Sequence, residues 1–204
     1  MSTELTVFVV DDDEEVRNSM KRLMNSVRLT VETFASGEEF LAQFDPARPG
    51  CLLLDVRMEG MSGLEVQERL ALEDVQPPII IITGHGDVPM AVRALQAGAL
   101  HFLEKPFRDQ EILDCVQETL ELAGNRHSTR LQKDQILGRM ETLTPREYQI
   151  MKDIVKGHTN RSIGEKHDIS TKTVEIHRTR VMHKMEAGTL PDLVRMALAV
   201  EPDD

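Results

Sequence analysis

The protein has 204 residues, with 35 acidic and 24 basic side chains and a formal net charge of −11. This length suits one large or two small domains, and 40% hydrophobic residues are enough for a buried core. Two cysteines are too few for a disulfide framework, so we expect a cytoplasmic protein. No apolar run reaches the ~20 residues of a membrane span, so we expect no membrane partner. Taken alone, the negative charge also disfavours nucleic acid as a partner.

The charge is distributed unevenly along the chain. Residues 1–125 hold 23 acidic and 10 basic side chains, a net −13, whereas residues 126–204 hold 12 and 14, a net +2. A polar stretch with little apolar periodicity joins the two parts. We therefore predict a domain over 1–124, a linker over 125–139 that can be partly helical, and a domain over 140–204. The argument that negative charge disfavours nucleic acid as a partner therefore applies to the first domain alone.

Short apolar runs alternate with amphipathic stretches in the first domain. They are typical of buried parallel strands, although their period alone does not exclude buried helix, and they cover residues 5–10, 30–34, 51–54, 79–82 and 99–103. Capping boxes at Ser36 and Ser62 mark helix starts between them. This alternation predicts a doubly wound α/β fold with a five-stranded parallel sheet.

The second domain shows helix signals only. A capping box at Thr144 is followed by a proline at the first helical position, and further starts are expected at Thr159, Ser170 and Thr189. The pattern predicts a small all-α domain of four short helices, of which the middle two are close enough for a helix-turn-helix.

Polar residues follow the main predicted strands of the first domain. They are Asp11, Asp12 and Asp13 after the first strand, Asp55 after the third, Thr83 after the fourth and Lys105 after the fifth. Each alone is also typical of a wet turn or a helix cap. Parallel strands bring their carboxyl ends to one edge, where clustered carboxylates need a cation and hard oxygen ligands suit Mg²⁺. Together they indicate phosphoryl transfer, with Asp55 as the nucleophile that becomes an acyl phosphate.

The first domain resembles the receiver domain of two-component response regulators over residues 4–124. The residues that carry the resemblance are 10–13 (VDDD), 54–58 (LDVRM), 61–63 (MSG), 83–87 (TGHGD) and 104–107 (EKPF), the last two being especially similar to the FixJ branch.

The resemblance implies that Asp55 accepts a phosphoryl group from a sensor histidine kinase. Asp12, Asp55 and the Arg57 backbone carbonyl would bind Mg²⁺ or another divalent cation, with Asp11 nearby, and Lys105 would contact the phosphoryl group. Such a receiver catalyses only its own phosphoryl transfer and dephosphorylation, so we do not expect an enzyme in the usual sense.

The family pattern also implies a switch pair, Thr83 and Phe102, and a cis peptide bond between Lys105 and Pro106. One position departs from the pattern, because Glu59 stands where the family usually has proline. We expect Glu59 to loosen that loop or add negative charge beside the metal, and so to alter the affinity for Mg²⁺.

The predicted helix over 170–185 has two different faces. Val174, His177, Val181 and Met185 share one face, which should pack inward. The opposite face carries Lys172, Ile176, Thr179 and His183, flanked by Glu175 and Arg180. An apolar Ile176 on a polar face suits a recognition helix that meets a thymine methyl group, although a contact with the receiver or another subunit is the alternative.

Further residues near this helix are candidates for contacts with DNA phosphates. They are Lys172, Arg180 and Lys184, together with Thr159, Asn160 and Arg161 at the start of the preceding helix. Residues 140–200 resemble the LuxR/NarL-type four-helix DNA-binding domain through 143–147 (LTPRE), 157–163 (GHTNRSI) and 170–177 (STKTVEIH). The resemblance implies that Glu175, Ile176 and Thr179 approach the bases.

The two resemblances together predict a FixJ/NarL-type response regulator, a transcription factor that forms a homodimer on phosphorylation. It would bind double-stranded promoter DNA and act with RNA polymerase, in this family mostly as an activator. One alternative is a phosphorylation-independent DNA-binding regulator whose receiver is a docking module, which the intact set of site residues disfavours. The other is a Mg²⁺-dependent phosphotransferase, which lacks a second acid two residues after Asp55, where Arg57 stands.

Overall fold

The computed structural model describes residues 4–72, 76–84, 86 and 88–200. The chain divides into two compact units, Met1–His127 and Ser128–Asp204, each of which is described by itself. Within the described residues, no helix has both the length and the apolar character needed to cross a membrane.

The first unit alternates strands and helices along the chain. They are β1 (Thr6–Val10), α1 (Glu14–Ser26), β2 (Thr30–Phe34), α2 (Gly37–Gln43), β3 (Gly50–Asp55), α3 (Gly63–Leu70), β4 (Ile79–Thr83), α4 (Val88–Gln96), β5 (His101–Glu104) and the long α5 (Asp109–Glu141). The described strands form one parallel sheet in the order β2-β1-β3-β4-β5. The predicted doubly wound α/β fold with a five-stranded parallel sheet is confirmed, and its strand order is that of flavodoxin-like folds.

Successive residues of the central strands point to opposite faces of the sheet, and both faces are covered. On one face Phe8, Leu52 and Ile81 pack with residues of α2, α3 and α4. On the other face Val9 and Leu53 pack with residues of α1 and α5. Burial on both faces explains why these strands are continuous apolar runs rather than alternating ones.

Helix caps set where the helices between the strands begin. The Ser62 box is complete, with the Ser62 hydroxyl accepting from the Glu65 amide and the Glu65 carboxylate accepting from the Ser62 amide. The Ser36 box is only half formed. The Ser36 hydroxyl accepts from the Glu39 amide, but the Glu39 carboxylate accepts from the Ala35 amide instead.

The second unit contains the end of α5 and four further helices in its described part. They are α6 (Pro145–Val155), α7 (Asn160–His167), α8 (Thr171–Lys184) and α9 (Leu190–Val200). Thr144, Thr159 and Ser170 are the N-caps of α6, α7 and α8, as predicted. At the start of α9, the Asp192 carboxylate accepts from the Thr189 amide and the Thr189 hydroxyl accepts from the Asp192 amide, as in a capping box.

A three-residue turn connects α7 to α8 and sets the helix-turn-helix. Asp168 begins it with a left-handed backbone, φ 54°. Gly164 allows the turn to fold back, because a Cβ atom there would lie 2.7 Å from the Ile169 carbonyl oxygen. Ile163, Val174 and Val181 are fully buried in the core beneath this motif.

Residues 125–139, predicted as a linker, are helical throughout as part of α5. The residues of α5 up to Leu120 pack on the sheet of the first unit, and Ile136 and Met140 pack on the core of the second unit. The side chains at 128–135 are exposed, which agrees with the polar composition of the stretch.

Candidate functional site

The ammonium group of Lys105 joins two carboxylates that are far apart in sequence. Its Nζ lies 2.7 Å from Asp11 Oδ2 and 3.1 Å from Asp55 Oδ1. Both acids are buried, with 4% and 6% of their surface exposed. Asp11 directly follows β1, Asp55 ends β3 and Lys105 follows β5, so the carboxyl edge of the sheet brings them together as predicted.

Backbone amides hold the other oxygen of each carboxylate. Asp11 Oδ1 accepts from the Asp13 amide at 2.9 Å, and Asp55 Oδ2 accepts from the Arg57 amide at 2.9 Å. All four oxygens of the two carboxylates therefore have a donor, and the rotamers of both acids are fixed before any ligand arrives.

The electrostatics of the site are unbalanced, because one cation faces two buried carboxylates. Burial raises the pKa of Asp55, the Lys105 ammonium offsets this only in part, and the Asp11 charge adds to it. Burial alone would lower the pKa of Lys105, but the hydrogen bonds and charges of Asp11 and Asp55 raise it overall. The edge of the sheet therefore keeps an excess of negative charge that a further cation would neutralise.

The predicted metal ligands are only partly assembled. Asp11 and Asp55 are neighbours through Lys105, whereas Asp12 is exposed and its Oδ2 accepts a hydrogen bond from the Glu59 amide at 2.9 Å. In the described part of the chain, no three His, Cys, Asp or Glu side chains are grouped closely enough to hold a metal ion. The predicted donors are the carboxylates of Asp12 and Asp55 and the Arg57 carbonyl, with Asp11 nearby. All are oxygen atoms, which fits the chemistry of Mg²⁺.

Thr83 and Phe102, the predicted switch pair, both lie close to Gly86. Thr83 is fully buried at the end of β4, and Phe102 is half-buried in β5. A Cβ atom on Gly86 would lie 2.9 Å from the Phe102 ring and 3.3 Å from Thr83 Cγ2, so this loop packs closely on both residues. The neighbouring motif residues His85 and Asp87 lie outside the described residues.

The backbone of Lys105 links the ends of β5 and β4 at the carboxyl edge of the sheet. Its amide donates to the Thr83 carbonyl at 2.8 Å, and the peptide bond between Lys105 and Pro106 is cis, as the resemblance implied.

The α8 helix presents the two faces that the sequence predicts. Val174, Val181 and Met185 are fully buried, and His177 is half-buried. The candidate base-reading and phosphate-contacting residues of the opposite face are all exposed: Lys172, Glu175, Ile176, Thr179, Arg180 and His183. Ile176 is 48% exposed although it is apolar.

The predicted residues at the start of α7 are partly engaged within the domain. The Thr159 hydroxyl caps the helix by accepting from the Ser162 amide, and Asn160 is half-buried. Arg161 pairs with Glu165 one turn later at 2.9 Å, an exposed pair that a DNA phosphate can replace at little cost.

Lys184, predicted as a phosphate contact, has two partners inside the domain. Its ammonium donates to Glu147 Oε2 at 2.7 Å and to the Thr142 carbonyl at 2.9 Å. The same Glu147 oxygen accepts from the Thr144 amide and completes the capping box of α6. One buried carboxylate thus ties the start of α6 to the end of α8, which gives Lys184 a structural role.

A second buried carboxylate, which the sequence pattern did not reveal, joins α6 to α7. Asp153 is 2% exposed and accepts from Lys166 at 2.5 Å and from His167 at 2.6 Å, while His158 Nδ1 lies 3.3 Å away. Burial would raise the pKa of Asp153, but the hydrogen bonds from Lys166 and His167 lower it overall. Its one signal in the sequence is an acid between the apolar residues Met151 and Ile154.

Comparison with known proteins agrees with this geometry. Residues 7–117 match the family model for the response regulator receiver domain, and residues 141–197 match that for bacterial regulatory proteins of the luxR family. The chain belongs to the response regulators.

Relatives of this response regulator share both domains. FixJ, a transcriptional regulatory protein of Rhizobium meliloti, is 44% identical over 97% of each chain. Nodulation protein W of Bradyrhizobium diazoefficiens is 44% identical over 96% of this chain and 86% of its own. The solved structure of the response regulator StyR superposes with a TM-score of 0.87 at 42% identity, covering 96% of this chain and 98% of its own.

These findings confirm the predicted family, fold and general function. The protein is a transcription regulator controlled by phosphorylation, which implies a kinase partner and binding to DNA. Nothing in the comparisons supports the alternatives of a docking receiver or a phosphotransferase.

We expect Glu147→Gln to destabilise the second unit by about 2 kcal/mol at neutral pH, because it weakens a buried charged hydrogen bond. The hydrogen bond from Lys184 lowers the pKa of Glu147 from 4.5 to about 2. The contribution of Glu147 to stability is therefore complete above pH 4.5 and is lost as the pH falls towards 2.

The measurement is urea unfolding followed by tyrosine fluorescence, since Tyr148 is the sole tyrosine of a chain without tryptophan. Glu165→Gln, on the exposed surface of α7, is the matched control and should change stability by less than about 0.5 kcal/mol. Equal unfolding midpoints for the two variants at pH 7 would contradict the structural role of Glu147.

Proposed function

We propose that Asp55 is the phosphoacceptor of this response regulator and receives its phosphoryl group from the phosphohistidine of a sensor histidine kinase. The observation that carries the proposal is the Lys105 ammonium held between buried Asp11 and Asp55. It supplies positive charge beside the carboxylate that would be modified, in a site that excludes most water.

The transfer moves one phosphoryl group between two side chains. The bond from phosphorus to the kinase histidine nitrogen breaks, and a bond from phosphorus to an Asp55 oxygen forms. The imidazole leaves with the electron pair of the broken bond, and the product is an acyl phosphate. Water later hydrolyses it, so the receiver acts only on its own aspartate.

Asp12, Asp55 and the Arg57 carbonyl would hold Mg²⁺, with Asp11 nearby, since receiver domains generally bind this ion at the phosphorylation site. The cation would supply positive charge to the oxygens of the transferring group. Lys105 would remain on the phosphoryl oxygens, where it offsets the ~1.5–2 negative charges that phosphorylation adds.

The response would pass from Asp55 to Thr83 and Phe102. The Thr83 hydroxyl would turn towards the phosphoryl group, and the Phe102 ring would move into the space that becomes free. The close packing of Gly86 on both side chains supports a coupled movement.

Dimerisation on phosphorylation would use α4 and β5 with α5. Large apolar side chains of this region are exposed in the first unit, which supports an interface that is covered in the active dimer: Val88, Val92, Leu95 and Leu100. A symmetric dimer would present two α8 helices to two half-sites of promoter DNA, where the protein would act with RNA polymerase, mostly to activate transcription.

Phosphorylation of Asp55 is tested by incubating the full chain with Mg²⁺ and acetyl phosphate. We expect a mass increase of one phosphoryl group that hydroxylamine removes, as for any acyl phosphate, and no increase in Asp55→Asn. Asp114→Asn makes the same change on an exposed carboxylate of α5 and should behave as the wild type. Modification of Asp55→Asn to the wild-type level would refute the assignment.

The DNA interface is tested on the preferred site selected from random DNA. We expect Ile176→Ala to relax base preference at one position by about 1 kcal/mol, because it removes an apolar contact with a base edge. Arg180→Ala should instead weaken binding to all sequences and lower the salt dependence of the affinity by about one ion, as expected for a phosphate contact.

Arg195→Ala, which removes an exposed arginine from α9 in the same domain, is the matched control. Unchanged preference in Ile176→Ala, or an unchanged salt dependence in Arg180→Ala, would contradict the corresponding contact.

A further inference from the structure

The loop between β3 and α3 is tied by its own backbone amides to carboxylates from two other places in the receiver. The Glu59 amide donates to Asp12 Oδ2 at 2.9 Å, and the Met61 amide donates to Glu38 Oε1 at 3.1 Å. Between them Gly60 has a left-handed backbone, φ 79°. The position of the Glu59 amide is therefore set by the fold of the loop rather than by the Glu59 side chain, which is exposed.

The acceptor of this amide, Asp12, is one of the predicted metal ligands. Lys105 holds Asp11 and Asp55 together, but Asp12 is bonded to the loop, and the described residues contain no cluster of three acids arranged for a metal. The proposed cation site draws on Asp12 together with Asp55, because both carboxylates supply oxygen ligands and negative charge to the cation. Any rearrangement of Asp12 towards it competes with the hydrogen bond from Glu59.

We propose that Glu59 is a positioning residue that acts through its backbone N–H: it holds the Asp12 carboxylate on the loop between β3 and α3, and a divalent cation that draws Asp12 to itself competes with this hydrogen bond. The inference rests on the cation site of the proposed function. Occupancy of the cation site, and the phosphorylation that follows it, would then depend on Glu59, a residue that is not itself a ligand.

The side chain of Glu59 has a separate effect of opposite sign. Its exposed carboxylate attracts a divalent cation through solvent, and salt screens this attraction. Two substitutions separate the amide from the charge. Glu59→Gln removes the charge and keeps the N–H, whereas Glu59→Pro removes both.

The test is Mg²⁺ titration of the full chain by calorimetry, for the wild type and both variants. We expect Glu59→Pro to bind Mg²⁺ about three- to tenfold more tightly than Glu59→Gln, since it lacks the competing hydrogen bond. This ratio should persist at high salt, whereas any difference between Glu59→Gln and the wild type should shrink. Equal or weaker binding by Glu59→Pro would overturn the inference.

A second measurement needs no variant and stays decisive if the proline disturbs the loop. In the wild type, the amide proton resonance of Glu59 should move towards that of a free amide as Mg²⁺ saturates the site. A resonance that stays in place at saturation would overturn the inference but leave the cation site intact. Absence of saturable Mg²⁺ binding in the wild type would overturn the cation site as well.

Discussion

The ammonium group of Lys105 between the carboxylates of Asp11 and Asp55 is the interaction on which the receiver depends. The contacts span 94 and 50 positions in the chain, and the shared carboxyl edge of the parallel sheet brings the three residues together. Burial raises the pKa of Asp55, and the charge of the neighbouring Asp11 adds to this effect. The fold thus maintains a site with an excess of negative charge, which suits the binding of a cation and then the transfer of a phosphoryl group.

The second unit uses buried carboxylates for a different purpose. Glu147 connects α6 to the end of α8, and Asp153 connects α6 to α7. Both acids have cationic partners, and the pKa of each is lowered rather than raised. These contacts anchor the inner face of the helix-turn-helix, and the exposed face of α8, with Ile176 at its centre, remains available for DNA. The pKa of Asp55, the proposed phosphoacceptor, is shifted in the opposite direction.

Most of the fold and the core of the site could be predicted because both depend on periodic or local patterns. Buried strands appear as apolar runs, helix starts as caps such as Thr144, and residues at strand ends meet because parallel strands share an edge. Contacts that depend on tertiary distance could not be predicted. The Glu59 amide has no side-chain signature, and Lys184 resembles a surface lysine until α6 brings Glu147 to it. The helix across 125–139 was predicted only in part, as a linker that can be partly helical, because its polar residues lack an apolar stripe.

We propose above all that a change at Asp55 controls the affinity of the protein for DNA. The direct measurement is the dissociation constant of the full chain for its selected DNA site, with and without Mg²⁺ and beryllium fluoride, which imitates the phosphoryl group. Binding by the wild type should tighten when both are present, and binding by Asp55→Asn should not change. Equal affinity of the wild type under the two conditions would contradict the claim.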